Sequence, residues 1–229
     1  MSLPVMILAA GFGTRMAPLT DDRPKPLVEV AGRPLIDHAL AVARGGECGP
    51  IAVNGHYRAD QLARHLSGAP DVTFLHETPD ILDSGGGVRN ALPVLGPGPL
   101  VTLNADAVWT GPNPIRTLRA AWDPARMDGL LLLVPLERAV ARQGGGDFAL
   151  GADGRIAPDT AGHVYTGAQI LGAGVVGRRP EGPFPMREIW RDLLATGRLF
   201  GCLHPGGWAD VGHPGGIAEA EHMLETARV

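Results

Sequence analysis

At 229 residues, 45% of them apolar, with a formal net charge of −4, the chain has the material for one large domain or two small ones. The lack of basic runs argues against nucleic acid or an anionic membrane as the main partner. No apolar stretch reaches the ~20 residues of a membrane span, and the N-terminus lacks the basic flank and apolar core of a signal peptide. Cys48 and Cys202 stand far apart without His or Cys at ligand spacing. They suggest neither a disulfide framework nor a zinc site, and the simplest compartment is the reducing cytoplasm.

In chain order, Val5-Met6-Ile7-Leu8 is too short and apolar for anything but a buried strand. A glycine loop follows, and Leu27-Val28-Glu29-Val30 predicts a second short strand ending at Gly32. Pro34 suits a first helical turn, with Ile36, Ala39, Leu40 and Ala43 at helical spacing and Gly45-Gly46 as the stop. Ile51 to Asn54 reads as a strand, Ala59 to Leu66 as an amphipathic helix, and Val72 to Leu75 as a third parallel strand. Such alternation predicts a parallel sheet with right-handed crossovers. Gly85-Gly86-Gly87 stands as a bare loop before a helix carrying Val88, Ala91 and Leu95, and Leu100 to Leu103 is a strand running into Asn104-Ala105-Asp106. A helix from Asn113-Pro114 to Trp122 and a strand from Leu130 to Val134 complete the first half. After about Pro135 the chain becomes turn-rich. Ala152-Asp153-Gly154-Arg155 reads as a hairpin turn, and Val164 to Val176 as one or two antiparallel strands. Then come a helix from Met186 to Ala195, a strand from Leu199 to Leu203, and a terminal helix from about Gly216 to Arg228. The expected whole is one α/β domain with a mixed, mostly parallel sheet flanked by helices. Residues 1–135 form its nucleotide-binding half and residues 136–229 its substrate-binding half.

The first chemistry lies between Val5 and Leu27. Ala9, Ala10 and Gly11 leave the backbone open to a ligand, Gly11 and Gly13 permit a tight phosphate-cradling turn, and Arg15 offers a planar guanidinium to oxyanions. Lys25, held between Pro24 and Pro26, is the only lysine among 20 basic residues. A composition this biased towards Arg points to a position that needs a compact point charge; the plain alternative is a chance surface lysine. Asp106 and Asp210 each follow a predicted strand, where open α/β sheets place ligands. Two carboxylates from distant sequence suit Mg²⁺, which binds one or two of them together with water and phosphate oxygens; an Asx-turn or helix cap is the alternative for either alone. Generic motifs fail. Met16 breaks a dinucleotide fingerprint, no Gly-Lys-Ser/Thr follows for a Walker A loop, and no Gly-x-Ser-x-Gly elbow appears.

Leu8-Ala9-Ala10-Gly11-x-Gly13-Thr14-Arg15-Met16-x-Pro18-Leu19-Thr20 with Pro24-Lys25-Pro26-Leu27 resembles the signature of the sugar-1-phosphate nucleotidyltransferases. Gly85-Gly86-Gly87, Asn104-x-Asp106, Thr166-Gly167 and Trp208-x-Asp210-Val211-Gly212 follow in family order. The resemblance implies a Rossmann-like nucleotide-diphospho-sugar transferase fold. Within the family, the short chain, Asp83 to Gly87, Trp109 and Gly146-Asp147-Phe148 look most like the branch that uridylylates N-acetylmuramate 1-phosphate in peptidoglycan recycling. Mannose-1-phosphate guanylyltransferases come next, and a cytidylyltransferase of a non-sugar phosphate is a further alternative. By that resemblance an NTP, with UTP favoured, lies over Ala9, Ala10, Gly11, Gly13 and Thr14, its base read near Glu77 and Gly85. Arg15 and Lys25 hold the triphosphate, and Mg²⁺ sits on Asp106 and Asp210. Asn104, Asp147, Thr166 and Gly167 meet the sugar 1-phosphate. The family's second lysine, which meets the sugar phosphate, has no counterpart here, and Ala105 replaces a usual Gly. A monomer or small homo-oligomer is expected.

Overall fold

A computed structural model describes residues 2–227. The first apolar run, Val5–Leu8 (β1), is a strand at the heart of a seven-stranded sheet. Beyond the glycine loop, single 3-10 turns at Thr14–Met16 and Lys25–Leu27 precede a small hairpin, Glu29–Val30 (β2) with Arg33–Pro34 (β3). The single strand expected over Leu27–Val30 is therefore cut short. Ala31 and Gly32 both adopt left-handed angles (φ 52° and 70°), which fold the chain straight back.

Leu35–Gly45 (α1) buries Ile36, Ala39, Leu40 and Ala43, the spacing read from sequence. Ile51–Gly55 (β4), Ala59–Leu66 (α2) and Val72–His76 (β5) follow, with β4 pairing parallel to both β1 and β5. Asp83–Leu95 (α3) begins earlier than expected, so the three glycines lie inside its first turns rather than in a loop ahead of it. Leu100–Asn104 (β6) pairs parallel with β1. Ala107–Trp109 (β7) is a strand that the sequence reading missed, and Pro114–Ala121 (α4) is capped by the Asn113 side chain, which accepts from the N–H groups of Ile115 and Arg116.

Gly129–Val134 (β8) is buried throughout. Ala139–Val140 (β9) leads to a hairpin, Phe148–Leu150 (β10) and Ile156–Pro158 (β11), around the expected Asp153-Gly154 turn. Val164–Leu171 (β12) is one strand, not two; the chain turns into a short helix, Ala173–Gly177 (α5). Met186–Ala195 (α6), Leu199–Leu203 (β13), Trp208–Asp210 (β14) and Gly215–Thr226 (α7) complete the chain. Arg228, the expected end of the last helix, lies outside the described residues.

The main sheet runs β13-β8-β12-β6-β1-β4-β5. Only β12 is antiparallel to its neighbours, and it wedges between β6 and β8. One sheet thus draws on both halves of the chain and makes a single domain. Alternate strand residues supply two core layers. Val5, Ile7 and Val101 face α1, α2 and α4, while Met6, Ala52 and Leu131 face α3, α5 and α6. A second, three-stranded sheet, β7-β14-β9, stands at the end of β6. Its position is what makes the site.

Candidate active site

Where β1 ends, the chain leaves the sheet as Ala9-Ala10-Gly11. A chain of buried hydrogen bonds fixes that exit. The Ala9 N–H donates to Asn54 Oδ1 at 2.7 Å, and Asn54 Nδ2 donates to Glu77 Oε1 at 2.7 Å. The other oxygen, Glu77 Oε2, accepts from the Leu82 N–H at 2.8 Å. Asn54 and Glu77 are 3% and 1% exposed, so these groups are satisfied by one another and not by solvent. The resulting shelf borders a cavity of about 240 Å³ lined by Ala9, Ala10, Gly11, Lys25, Asn104 and Asp106, among others. At Gly11 a side chain would meet nothing within 4 Å, so the glycine leaves open backbone facing outwards. Gly13 acts differently: at φ 66° its missing Cβ would lie 2.9 Å from Cβ of Lys25. It lets the loop fold down on the lysine.

Lys25 Nζ donates to Asp106 Oδ2 at 2.5 Å, with the two side chains 12% and 29% exposed. The second aspartate arrives by strand register. Asp210 in β14 pairs with Ala107 in β7, and the Val211 N–H donates to the Asp106 carbonyl at 3.0 Å. Burial, and then the nearby Asp106 charge, push the Asp210 carboxyl above its ordinary 3.8, against the opposing pull of Lys25, Arg15 and Arg142. Two carboxylates that repel each other beside one ammonium form a donor set suited to a divalent cation. Two oxygens' worth of protein ligand also leave room for water and phosphate, as Mg²⁺ requires. Among the described residues no third His, Cys, Asp or Glu joins them.

Across Asp106 a second cavity of about 1070 Å³ opens, and Asn104 and Asp106 line both. Arg15, Asp147, Thr166, Gly167 and Asp210 line the larger one, together with Arg142, Tyr165 and Trp190. Gly167, at φ 81°, stands where a Cβ would come 2.8 Å from the Asn104 side chain, so it makes room for Asn104 at the junction. Thr166 is 1% exposed; its hydroxyl donates to the Leu132 carbonyl and its own carbonyl accepts from Trp208 Nε1. Tyr165 meets Trp190 edge to face at 4.8 Å, and Trp190 Nε1 donates to Gln169, which in turn donates to Thr102. Burial pushes the Tyr165 hydroxyl well above its ordinary value, so it stays neutral.

The structure therefore brings Ala9, Ala10, Gly11, Lys25, Asn104, Asp106, Asp210, Arg15, Asp147, Thr166 and Gly167 to one joined pair of cavities. It does not bring Gly13, Thr14, Glu77 or Gly85 to either lining. Thr14 lies exposed in its 3-10 turn. Glu77 sits beneath the shelf, with both oxygens engaged. Gly85 is packed under Phe184, whose ring a Cβ would meet at 2.3 Å, and its N–H donates to the Phe184 carbonyl. Sequence reasoning missed Asn54, Arg142, Tyr165 and Trp190. Asn54 carried a weak signal, as a polar residue ending an apolar strand; the others carried none beyond residue type.

Residues 5–151 match the family of MobA-like NTP transferase domains. The chain belongs to that family. It is a nucleotidyltransferase. The N-acetylmuramate alpha-1-phosphate uridylyltransferase of Caulobacter vibrioides is 39% identical over 97% of this chain and 97% of its own. Its counterpart in Neisseria meningitidis is 30% identical over 96% and 98%. Among solved structures, a putative glucose-1-phosphate thymidylyltransferase from Bacillus anthracis superposes with a TM-score of 0.79 at 18% identity, covering 97% of this chain and 95% of that one. At that identity the likeness carries the fold, and the fold is the mixed α/β sheet described above.

Proposed function

We propose that this chain transfers a uridylyl group from UTP to N-acetylmuramic acid 1-phosphate, giving the UDP-sugar and pyrophosphate. The observation that carries the reading is the shared boundary of the two cavities at Asn104 and Asp106, with Lys25 and Asp210 beside it. The choice of UTP and this sugar rests on the Caulobacter vibrioides and Neisseria meningitidis relatives, which span nearly their whole length here.

The nucleotide occupies the smaller cavity, against Ala9, Ala10 and Gly11, with its phosphates towards Arg15 and Lys25. The sugar phosphate enters from the larger cavity, past Asn104, Thr166 and Gly167. One of its phosphate oxygens attacks the α-phosphorus in line, the bond from that phosphorus to the bridging oxygen breaks, and pyrophosphate leaves with the electron pair. The attacking oxygen is already ionised, so no protein base or nucleophile is needed. The protein's work is positioning and charge neutralisation. Lys25, a point charge held on Asp106, can shift towards the oxygens of the α-phosphate as charge builds there. Asp106 and Asp210 would hold Mg²⁺, which when bound neutralises phosphate charge. Cytoplasmic action in cell-wall recycling agrees with the two free cysteines, whose half-buried thiols are pushed by desolvation up to about 11 and about 12.

Pyrophosphate release from a matrix of nucleoside triphosphates against sugar 1-phosphates and phosphocholine, with and without Mg²⁺, tests the reading. UTP with N-acetylmuramate 1-phosphate is expected to lead, and EDTA to abolish turnover. Release with GTP and mannose 1-phosphate, or with CTP and phosphocholine, would replace the assigned substrates. Silence for every pair would end the proposal.

A further inference from the structure

The larger cavity has to hold a phosphate monoester dianion, yet the chain's only lysine is already paired with Asp106 at the smaller one. A guanidinium stands in the right place. Arg142 lines the larger cavity together with Arg15, Asp106 and Asp210, and its charge is felt at Asp210. Its side chain is 26% exposed, and one N–H, from Nη2, donates to Asp147 Oδ1 at 3.1 Å. Its Nε is buried and hydrogen-bonded to nothing among the described residues. An arginine carries five N–H donors in a planar fork suited to phosphate, and most of this one's capacity has no partner among the described residues.

Its surroundings are arranged to aim it. Ala141, the preceding residue, holds a left-handed angle (φ 59°), which an alanine adopts only under outside constraint. Two contacts supply the constraint: the Ala141 carbonyl shares a hydrogen bond with His213 Nε2 at 3.1 Å, and Ala141 is itself buried. From the other side Asp147 is fixed, because its Oδ2 accepts from the Tyr165 N–H at 2.8 Å. Asp147 thus has one oxygen on the β12 backbone and the other on Arg142, and acts as a positioning residue more readily than as a sugar contact. Arg187 and Arg191 also line this cavity, but both are exposed at its rim.

We propose that Arg142 binds the phosphate of the sugar 1-phosphate, steadied by Asp147. The inference rests on the transfer reaction proposed above, and it gives the phosphate a cation contributed by the segment between β9 and β10.

Arg142→Gln keeps a polar, hydrogen-bonding side chain, shorter than the arginine, while removing the charge and the guanidinium fork. It should raise KM for N-acetylmuramate 1-phosphate on the order of tenfold to a hundredfold, as loss of a hydrogen-bonded charge does, and leave KM for UTP within about twofold. Arg142→Lys restores the charge without the fork and should fall between the two. Asp147→Asn, which frees the guanidinium, should move the same KM in the same direction by less. Equal shifts for both substrates, or no shift, would overturn the assignment. Thermal melting of each variant identifies any that fails to fold, and for such a variant Arg142→Lys supplies the deciding comparison. If the wild-type protein releases no pyrophosphate with any pair, the transfer reaction fails on its own account. Calorimetric titration with inorganic phosphate then still reads the site: binding lost in Arg142→Gln supports it, and binding unchanged removes it.

Discussion

The smaller cavity has as one wall the uninterrupted stretch Leu8, Ala9, Ala10 and Gly11, completed by Lys25, Asn54, Ser84 and Asp106, while the larger collects Arg142, Asp147, Tyr165, Arg187 and Trp190 from segments spread over about fifty residues. That wall is backbone and small side chains, fixed from behind by Asn54 and Glu77. The larger cavity is built of long side chains that hold one another by ring contacts and hydrogen bonds. Backbone recognition approaches a ligand closely and discriminates little, because every residue offers the same N–H and C=O. Recognition by long side chains can be altered one residue at a time. On the reaction proposed above, variation in sugar choice would belong to the larger cavity, and the reacting groups would stand at the boundary between the two.

The largest expected effect tests that boundary. Lys25→Ala should lower kcat on the order of 10²- to 10³-fold, the loss seen when a donor to transition-state charge is removed. A change confined to KM for either substrate would show that Lys25 serves ground-state binding on one side only. Steady-state kinetics with each substrate varied in turn makes the distinction. Lys25 is partly buried on Asp106, so the same variant also leaves that carboxylate without its ammonium partner, and activity should be measured across a range of Mg²⁺ concentrations.

The same contrast explains what could be read from the sequence. The strands β1, β4, β5, β6 and β8 are apolar runs bounded by turn residues, and their periodicity alone gives the parallel sheet. The glycine loop and the place of Lys25 beside it were legible because neighbours in sequence are neighbours in space there. Asp106 and Asp210 were legible as residues at strand ends, but their proximity depends on β7 and β14, three-residue strands too short to leave a pattern. Arg142 left no trace, since its role comes from the backbone angle of Ala141 and from contacts with Asp147 and His213, all tertiary facts. The glycines misled for a physical reason. Gly85, Gly86 and Gly87 read as open backbone for a ligand, whereas each is small because something solid stands against it: Phe184, the Gly182 carbonyl, and the Asn54–Glu77 pair.

Two glycine variants of opposite kind sharpen that point, with an intermediate effect. Gly85→Ala forces a Cβ to within 2.3 Å of the Phe184 ring and 2.8 Å of its carbonyl oxygen, which cannot move freely. It should lower stability by about 1–3 kcal/mol, as overpacking does, with KM for UTP little changed in the folded fraction. Gly11→Ala meets nothing within 4 Å, and should alter stability by no more than about 0.5 kcal/mol while raising KM for UTP. Urea unfolding and steady-state kinetics on the pair separate packing glycines from ligand-facing ones. If Gly85→Ala proves as stable as the parent and loses UTP affinity, Gly85 reaches the nucleotide as well as Asp83 and Ser84, which border the smaller cavity.

The smallest effect concerns pH, and it falls outside both cavities, beside β7. His204 is fully buried beside Trp109, 5.1 Å between ring centroids, with Nε2 on the Thr110 carbonyl and Nδ1 unpaired among the described residues. Burial holds its pKa below the ordinary 6.5, more than offsetting the pull of that carbonyl. The unfolded chain consequently binds a proton at a higher pH than the folded one does. The stability that comes from keeping this imidazole neutral is present in full above about pH 6.5 and is lost as pH falls towards the folded-state value. His204→Gln removes the titrating group at the same place. The variant should melt below the parent at pH 7.5 because packing against Trp109 is lost, but the gap should narrow steadily as pH is lowered to about 5. Thermal melts across that range measure it, and a gap that stays constant would mean that protonation of His204 does not loosen β7 and β14 around Asp210.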